Sequence, residues 1–420
     1  MHPKNLLPRS LCFSLAFLIF LLSPSILRTE SLSDKIKRSI QGGADTLFTL
    51  KAEIRNYAFF NSGYTLIVQE RDSIRKGINP IFTLFDADGK MVWDTVLAGW
   101  DDCELTADVI ASPKVVIRGW LGEGRGATVI YSINGNRLAA VKEVSVLRAS
   151  PGGVYFYSIP SGMEPNFLNV YDSLGTLLWS DTTHSEFGFA VPLTDSLLLY
   201  RVWGELQGLF LLAPKNGKRK MKLTGDTIVP PSYLGSVSVA QNGQFFALYG
   251  TPYLYEPTIS SFTIGGSLLW EANFGKTNKK VLETVLSPDG KFLASFIIHN
   301  EKPDKQGVTL RDNLAKGKII WNTEVRKEGM YIGSAWNSIS VFEELITLVL
   351  PSGYDYYRYQ GLTPATKTKC IFFDPTNGSI TDSLTVSGFL TQVHSRSSGT
   401  QYFRVIYNEE RKQIVVLRNR

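Results

Sequence analysis

The sequence predicts an all-β protein made of repeated four-stranded antiparallel units, and three observations point to it. A phrase made of an apolar run, a Gly-containing turn and a second apolar run recurs seven times in the 420 residues. In four copies a Trp follows the turn glycine by four residues. Aromatic residues make up 12% of the chain, whereas runs of Lys, Glu and Ala at helical spacing are scarce. Strand-rich units that repeat every roughly 40 to 60 residues are the signature of a β-propeller.

Each copy of the phrase is predicted to be the hairpin between the third and fourth strands, C and D, of one unit. Glycine at the tip supplies the positive φ that tight hairpins need. The copies with Trp have the glycine and tryptophan pairs Gly89/Trp93, Gly175/Trp179, Gly266/Trp270 and Gly317/Trp321. The copies without Trp surround Gly135, Gly217 and Gly378.

An earlier strand pair, A and B, precedes each phrase. The clearest example is ETVLSPDGKFLASFII, from Glu283 to Ile298, which is apolar on both sides of an SPDGK turn. Related segments span Val144–Ser158, Phe189–Val202 and Val237–Gly250. Each unit is therefore predicted to run strand A, turn, strand B, variable loop, strand C, glycine turn and strand D. Four antiparallel strands form one propeller blade.

The two ends of the chain are expected to form one further blade together. Seven units end near Val386, and residues 389–420 supply about three more strands. An unassigned strand, TLFTLKA from Thr46 to Ala52, precedes the first unit. Joining these strands would close an eight-bladed ring and remove the exposed sheet edges. Seven blades is the alternative, with the tail acting as a cap.

The amino terminus resembles a secretory signal. Basic residues precede an apolar stretch from Leu11 to Leu22, which Ser23-Pro24-Ser25 follows. This stretch is shorter than the roughly 20 residues of a transmembrane helix. No A-x-A site follows it, so an uncleaved anchor remains the alternative and would be the protein's contact with the membrane. We expect an extracytoplasmic monomer, periplasmic or secreted, with residues 1–27 as signal or anchor, 28–44 as a linker and 45–420 as the propeller.

Charge and composition give little support for a nucleic-acid partner. The formal net charge is +6, but three basic residues and no acidic ones lie in the first 28 positions. Removing those three from the 44 leaves 41 basic and 38 acidic residues, or +3. The dense basic cluster KNGKRKMK, Lys215 to Lys222, falls on a predicted turn, where a solvated hairpin tip is favoured over an anion site.

The sequence contains no recognisable catalytic or metal-binding motif. The four histidines occur singly, without the spacing of a zinc site, and no C-x-x-C pair is present. Cys103 and Cys370 follow the signal, and the sequence leaves open whether they pair. We expect no metal and no cofactor, and a non-enzymatic role is favoured. The alternative is a hydrolase or lyase that acts on glycans or peptides near the central channel, because propeller enzymes assemble their sites from single residues on many blades.

Long B–C loops mark the predicted binding face. Up-and-down strands send every B–C loop and every D–A crossover to the same face, and binding residues gather on variable loops carried by a rigid frame. The richest such loop holds Tyr354, Tyr356, Tyr357, Arg358 and Tyr359, and an analogous loop two blades earlier holds Tyr253 and Tyr255. Tyr and Arg suit recognition of a protein or envelope polymer. Alternatively, these tyrosines extend strands and pack between blades.

The phrase D-x-x-G-x-x-x-W resembles the tryptophan-docking repeat of PQQ-type quinoprotein propellers and their cofactor-free relatives, among them scaffolds of the BamB kind. The SPDGK hairpin resembles those of WD40 and TolB-type propellers. The resemblance implies that Trp93, Trp179, Trp270 and Trp321 pack between neighbouring blades. It does not extend to the cofactor, because the adjacent cysteine pair of the quinoprotein dehydrogenases is missing. The sequence thus favours an exported scaffold without PQQ.

Overall fold

The structure is a computed structural model that describes twenty-two stretches of the chain. They are residues 48–49, 54–59, 64–69, 80–86, 89–97, 100–104, 114–121, 125–142, 147–158, 168–181, 190–202, 208–223, 233–251, 257–274, 279–299, 305–326, 339–341, 346–352, 367–387, 389–395, 402–408 and 413–416. Regular structure in these stretches is entirely β-strand. Within them, a helix with the length and apolar character needed to span a membrane is not found.

The strands follow one another at short intervals along the whole described chain. They are β1 (Phe48–Thr49), β2 (Ile54–Phe59), β3 (Thr65–Gln69), β4 (Ile81–Phe85), β5 (Met91–Val96), β6 (Trp100–Glu104), β7 (Lys114–Leu121), β8 (Arg125–Ser132), β9 (Arg137–Lys142), β10 (Leu147–Ala149), β11 (Tyr155–Ser158), β12 (Leu168–Asp172), β13 (Leu177–Asp181), β14 (Ala190–Thr194), β15 (Leu197–Val202), β16 (Gly208–Leu212), β17 (Arg219–Leu223), β18 (Tyr233–Val239), β19 (Phe245–Thr251), β20 (Thr258–Thr263), β21 (Leu268–Asn273), β22 (Lys279–Leu286), β23 (Phe292–His299), β24 (Lys305–Asp312), β25 (Lys318–Arg326), β26 (Ile339–Val341), β27 (Ile346–Ser352), β28 (Lys367–Phe373), β29 (Ile380–Ser387), β30 (Phe389–Ser395), β31 (Tyr402–Asn408) and β32 (Gln413–Val416).

These strands form four-stranded antiparallel sheets. Seven sheets use consecutive strands and are called blades 1 to 7, namely β2–β5, β6–β9, β10–β13, β14–β17, β18–β21, β22–β25 and β26–β29. The terminal sheet has the order β1-β32-β31-β30, so it joins the two ends of the described chain. In it, Phe48 pairs with Ile414 and Thr49 pairs with Gln413. The predicted all-β architecture of four-stranded antiparallel units is confirmed.

The core lies between neighbouring blades. Contacts between sheets join first strands, such as β18 to β22 and β22 to β26, so strand A is innermost and strand D lies at the rim. Strands B and C are buried on both faces, as in β16, where all five residues are buried. Burial on both faces explains why these strands are continuous apolar runs rather than alternating ones. Each blade therefore depends on its neighbours for its core.

A β-bulge in each C–D hairpin explains the fixed offset between glycine and Trp. In blade 6, Leu310 pairs with Trp321 while Arg311 pairs with Ile319, so Ile320 is an extra residue. Adjacent residues of a strand point to opposite faces. The extra residue thus directs Trp321 to the buried face of Leu310 and leaves Ile319 on the other face, where it is 49% exposed.

The basic cluster differs from its predicted form. Lys215 belongs to the turn, but Arg219, Lys220 and Lys222 lie on strand β17. The turn is thus shorter than the sequence suggested, and most of the positive charge lies on the outermost strand of blade 4. The two cysteines lie on β6 and β28, and the Cys370 side chain is fully buried.

Candidate functional site

The sequence-predicted binding residues lie on two B–C connections. Residues 354–359 fall between β27 and β28, and Tyr253 and Tyr255 fall between β19 and β20; all of them lie outside the described residues. The strand ends that carry them are described. Ser352 pairs with Lys367, and Gly250 pairs with Thr258, so each connection returns to its own neighbouring strand. Both connections therefore leave their blades at the B–C end.

Two buried polar side chains lie near the B–C ends of other blades. Arg201, the second-last residue of β15, is 3% exposed, and burial lowers its pKa to about 10. The guanidinium therefore stays charged at neutral pH. Gln306, the second residue of β24, is 1% exposed, and among the described residues neither its amide nitrogen nor its amide oxygen has a hydrogen-bond partner. Sequence reasoning missed both, because a single polar residue in an apolar strand has no motif spacing.

At the opposite end, each repeat Trp contacts the C–D turn of the next blade. The indole N–H of Trp93, Trp179, Trp270 and Trp321 donates to the backbone oxygen of Ile133, Pro214, Asn313 and Pro375 at 2.9, 2.6, 3.0 and 2.9 Å respectively. The rings lie over the glycines of those turns. A Cβ built on Gly317, for example, would come within 2.5 Å of the Trp270 ring. Glycine is required there because the ring occupies the space of a side chain.

The seam between blades 2 and 3 and the seam between blades 4 and 5 use the same position with smaller side chains. Ala139 and Met221 lie four residues after Gly135 and Gly217, where the other copies have Trp. Ala139 borders Gly175 of blade 3, and the Met221 sulfur borders Gly266 of blade 5. The repeat therefore places one docking residue at each of these seams, with Trp at four of them.

Hydrogen bonds between A–B turns join further pairs of blades at this end. The Ser150 hydroxyl and the Gly152 N–H both donate to Asp195 Oδ1 at 2.7 Å, which links blades 3 and 4. The Asn242 amide donates to the Asp289 carbonyl oxygen at 2.6 Å, which links blades 5 and 6. Many polar groups at the turn end are thus engaged within the protein.

Lys114 links blade 2 to both turns of blade 3. Its Nζ donates to the carbonyl oxygens of Gly153 and Ser173 at 3.4 and 3.3 Å. Burial lowers the pKa of Lys114, and the nearby Asp172 charge acts in the opposite direction. For Asp172 itself, burial opposes ionisation, but N–H groups of Thr176 and Leu174 bond the carboxylate and its pKa is lowered overall. Lys114 and Asp172 thus have structural roles at the junction of blades 2 and 3.

The outer rim exposes apolar side chains at a repeated position. The residue two places after the turn glycine is exposed in five blades, namely Met91 at 56%, Leu177 at 52%, Leu268 at 40%, Ile319 at 49% and Ile380 at 48%. Blades 2 and 4 differ, because the exposed Arg137 and Arg219 occupy this position. Exposed apolar groups gathered on one surface commonly mark an interaction site. The rim is therefore a second candidate surface beside the B–C end.

The described ranges contain no cluster of three or more His, Cys, Asp or Glu side chains that could hold a metal ion. Sequence reasoning singled out no catalytic residue either. The candidate functional surfaces are the B–C end and the outer rim.

Comparison with known proteins gives similarity in architecture alone. No family model and no curated protein matches the chain. Among solved structures, BamB from Moraxella catarrhalis shares 13% identity over 88% of this chain and 98% of its own, with a TM-score of 0.49. The C-terminal WD40 domain of Sif2 shares 9% identity over 88% and 97%, with a TM-score of 0.48. The β-propeller domain of the Trilobed protease from Pyrococcus furiosus shares 10% over 77% and 94%, with a TM-score of 0.46.

These similarities agree with the resemblance to PQQ-like and WD40-like propeller repeats found in the sequence. The fold itself is defined by the chain's own strand pairing and packing. No binding partner or activity is transferred from these proteins.

Proposed function

We propose that the protein is an exported, non-enzymatic β-propeller scaffold that binds another protein or an envelope polymer through its B–C loops. The observation that carries the proposal is the strand order. Every blade is an antiparallel meander, so its B–C connection leaves at the end away from the C–D turns. Many polar groups at the turn end are already bonded between blades. The opposite end carries the long, Tyr-rich connections.

The composition of the longest connection supports recognition of a macromolecule. Residues 354–359 contain four tyrosines and one arginine between strands β27 and β28. Tyrosine offers a large contact area and a hydroxyl at low entropic cost, and arginine offers several donors. The N-terminal apolar stretch supports export, because a secretory signal has an apolar segment that follows basic residues. An exported chain would meet its partners outside the cytoplasm.

Replacing Tyr354, Tyr357 and Arg358 together with Ala is expected to abolish capture of the partner from a native envelope extract. Truncating one interface anchor costs roughly 1–3 kcal/mol of affinity. Three truncations together would weaken a micromolar complex so much that the partner is lost during capture. The measurement is affinity capture of the tagged mature chain followed by mass spectrometry.

The matched control changes Met91, Leu138 and Ile319 to Ala. These rim side chains are 56, 36 and 49% exposed and lie on the outermost strands rather than on the B–C connections. The control should capture the same partner as the wild type. Equal capture by the Tyr and Arg variant would contradict binding through residues 354–359.

We also propose that the terminal sheet is an eighth blade that closes the ring. The pairing of β1 with β32 supports closure from one side, and the contacts of β30 with β26, β27 and β28 support it from the other. Closure by both chain ends would leave no open sheet face between the last blade and the first. Seven blades with a capping tail is the alternative.

A disulfide between the two chain ends tests this closure. Thr49 and Gln413 are directly paired, so replacing both with Cys, in a chain whose native cysteines are Ser, is expected to give a cross-linked monomer. The cross-link should stabilise the protein by about 2–4 kcal/mol against urea. A control pair at Thr49 and Val416 lies out of register. Cross-linking that is absent, or equal in both variants, would contradict the closed ring.

A further inference from the structure

Strand β17 is a basic sheet edge at the outer rim. Lys215, Lys218, Arg219, Lys220 and Lys222 are all exposed, and residues 208–223 contain no acidic side chain. Within the described residues, no carboxylate forms an ion pair with any of the four lysines. β17 is the last strand of its sheet and pairs only with β16 there. Its outer backbone edge is therefore available to another strand.

The side chains of β17 divide between two faces. The Arg219 guanidinium carbon lies 4.6 Å from the Phe210 ring centroid, and the Lys222 Nζ lies 5.8 Å from it. Phe210 packs in the core between blades 3 and 4, so these cations face blade 3. Met221 instead contacts Gly266 of blade 5 and is 39% exposed. One face of the edge strand is thus cationic, and the other is apolar.

Exposed apolar residues border the strand on both sides. Trp179, the central residue of β13, donates to the Pro214 carbonyl oxygen at 2.6 Å, which holds β13 against the basic turn. Next to Trp179 on the same strand, Leu177 and Leu178 are 52 and 42% exposed. On the side of blade 5, Leu268 is 40% exposed. Exposed apolar side chains of blades 3 and 5 therefore flank the basic edge.

Protection against aggregation does not explain this charge. Lysine on an edge strand prevents unwanted strand pairing, so a protective role would call for Lys on the other rim strands as well. Strands β5, β13 and β21 contain no Lys or Arg, although they expose Met91, Leu177 and Leu268. Strands β9 and β25 carry a basic residue at each end, whereas β17 carries three within four consecutive positions, which is denser than a protective role needs.

We propose that β17 is a docking edge for an extended acidic segment of a partner protein, which adds to blade 4 as a fifth strand. Backbone groups of the edge would provide the hydrogen bonds, and alternate side chains would provide specificity. Acidic side chains of the segment fit the Arg219 and Lys222 face, and apolar ones fit the Met221 face. A segment of alternating acidic and apolar residues matches both.

An anionic bilayer fits this arrangement less well. A membrane surface attracts basic residues that lie together on one plane, with apolar side chains directed into the same layer. On β17, the cations at Arg219 and Lys222 and the apolar Met221 point to opposite faces of a strand. An added strand directs side chains to both faces of β17, whereas a flat membrane surface cannot contact both.

The test uses the full mature chain and a fluorescent ten-residue peptide of alternating Glu and Val, with binding followed by anisotropy. We expect saturable binding that weakens as salt rises. Changing Lys218, Lys220 and Lys222 to Glu should weaken it at least tenfold, because three attractive contacts of roughly 0.2–1 kcal/mol each become repulsive. The control changes Lys90, Arg137 and Lys318 to Glu, which gives the same net charge on exposed positions of other hairpins. The control should bind like the wild type.

Two further arms separate strand addition from other modes of binding. The same peptide with N-methyl groups on alternate residues keeps its charge but cannot complete the backbone ladder, so it should bind at least tenfold more weakly. Equal binding of the methylated peptide, or equal losses in both charge variants, overturns the proposal. Binding to phosphatidylglycerol vesicles without peptide binding also overturns it, in favour of a lipid surface. Circular dichroism and the unfolding midpoint establish that both variants are folded.

Discussion

Replacing Trp270 with Ala is expected to lower the free energy of unfolding by about 3–5 kcal/mol, the cost of truncating a buried aromatic residue. Trp270 is 6% exposed at the seam between blades 5 and 6. Its indole N–H donates to Asn313 O at 3.0 Å and to Asn313 Oδ1 at 2.9 Å, and its ring covers Gly317. Truncation leaves a cavity between two blades and removes this donor. Urea denaturation followed by circular dichroism measures the loss.

The matched control is Met221→Ala at the same repeat position of blade 4. Met221 is 39% exposed, so its truncation should cost only about 1 kcal/mol. Equal losses for the two variants would show that the aromatic residue does not determine the strength of the seam.

Gly317→Ala tests the same seam from the other side. A Cβ there would lie 2.5 Å from the Trp270 ring, and the residue has a φ of 69°. Overpacking costs about 1–3 kcal/mol, and left-handed backbone adds roughly 1–2 kcal/mol for a residue with a Cβ. Combining it with Trp270→Ala should cost less than the sum of the two, because the smaller side chain makes room for the Cβ.

Much of the fold could be predicted because the residues that mark its hairpins lie close together in the sequence. A turn glycine such as Gly266 (φ 93°), followed four residues later by Trp270, identifies the C–D hairpin from a few neighbouring residues. The β-bulge follows from the same spacing. Pairing of the chain ends is different in kind, since β1 contributes only Phe48 and Thr49 to a ladder with β32. No local pattern encodes that pair, and it could be reached only by counting strands.

The candidate surfaces were harder to predict because they depend on contacts between blades. Asp195 accepts bonds from Ser150 and Gly152 of the preceding blade, and these residues share no spacing in the sequence. The basic cluster was interpreted as a turn, because the sequence does not show that Arg219 already pairs with Leu212 or that Lys220 is the extra residue of a bulge within β17. The Tyr-rich connection of residues 354–359 stays a prediction, since it lies outside the described residues.

Asn313→Ala is expected to cost about 2–5 kcal/mol, because Asn313 joins three elements in the buried seam between blades 5 and 6. The side chain is fully buried. Its Oδ1 accepts from the Ser261 hydroxyl at 2.6 Å and from the Trp270 indole at 2.9 Å. Its amide donates to the Gly290 carbonyl oxygen at 2.8 Å. Truncation leaves the Ser261 hydroxyl and the Gly290 oxygen buried without these partners, and urea denaturation reports the loss.

The control for this variant is Asn377→Ala in the corresponding turn of blade 7. Asn377 is exposed, and its Oδ1 accepts from the Ser379 N–H at 2.8 Å, so water can replace the lost bond and the cost should stay within about 1 kcal/mol. Asn313→Asp separates shape from hydrogen bonding. It keeps the acceptors but places a carboxylate against the Gly290 oxygen, so it should destabilise at neutral pH at least as much as Ala does. An Asp variant as stable as the wild type would mean that the donated bond to Gly290 contributes nothing, and that the seam depends on the acceptor for Ser261 and Trp270 alone.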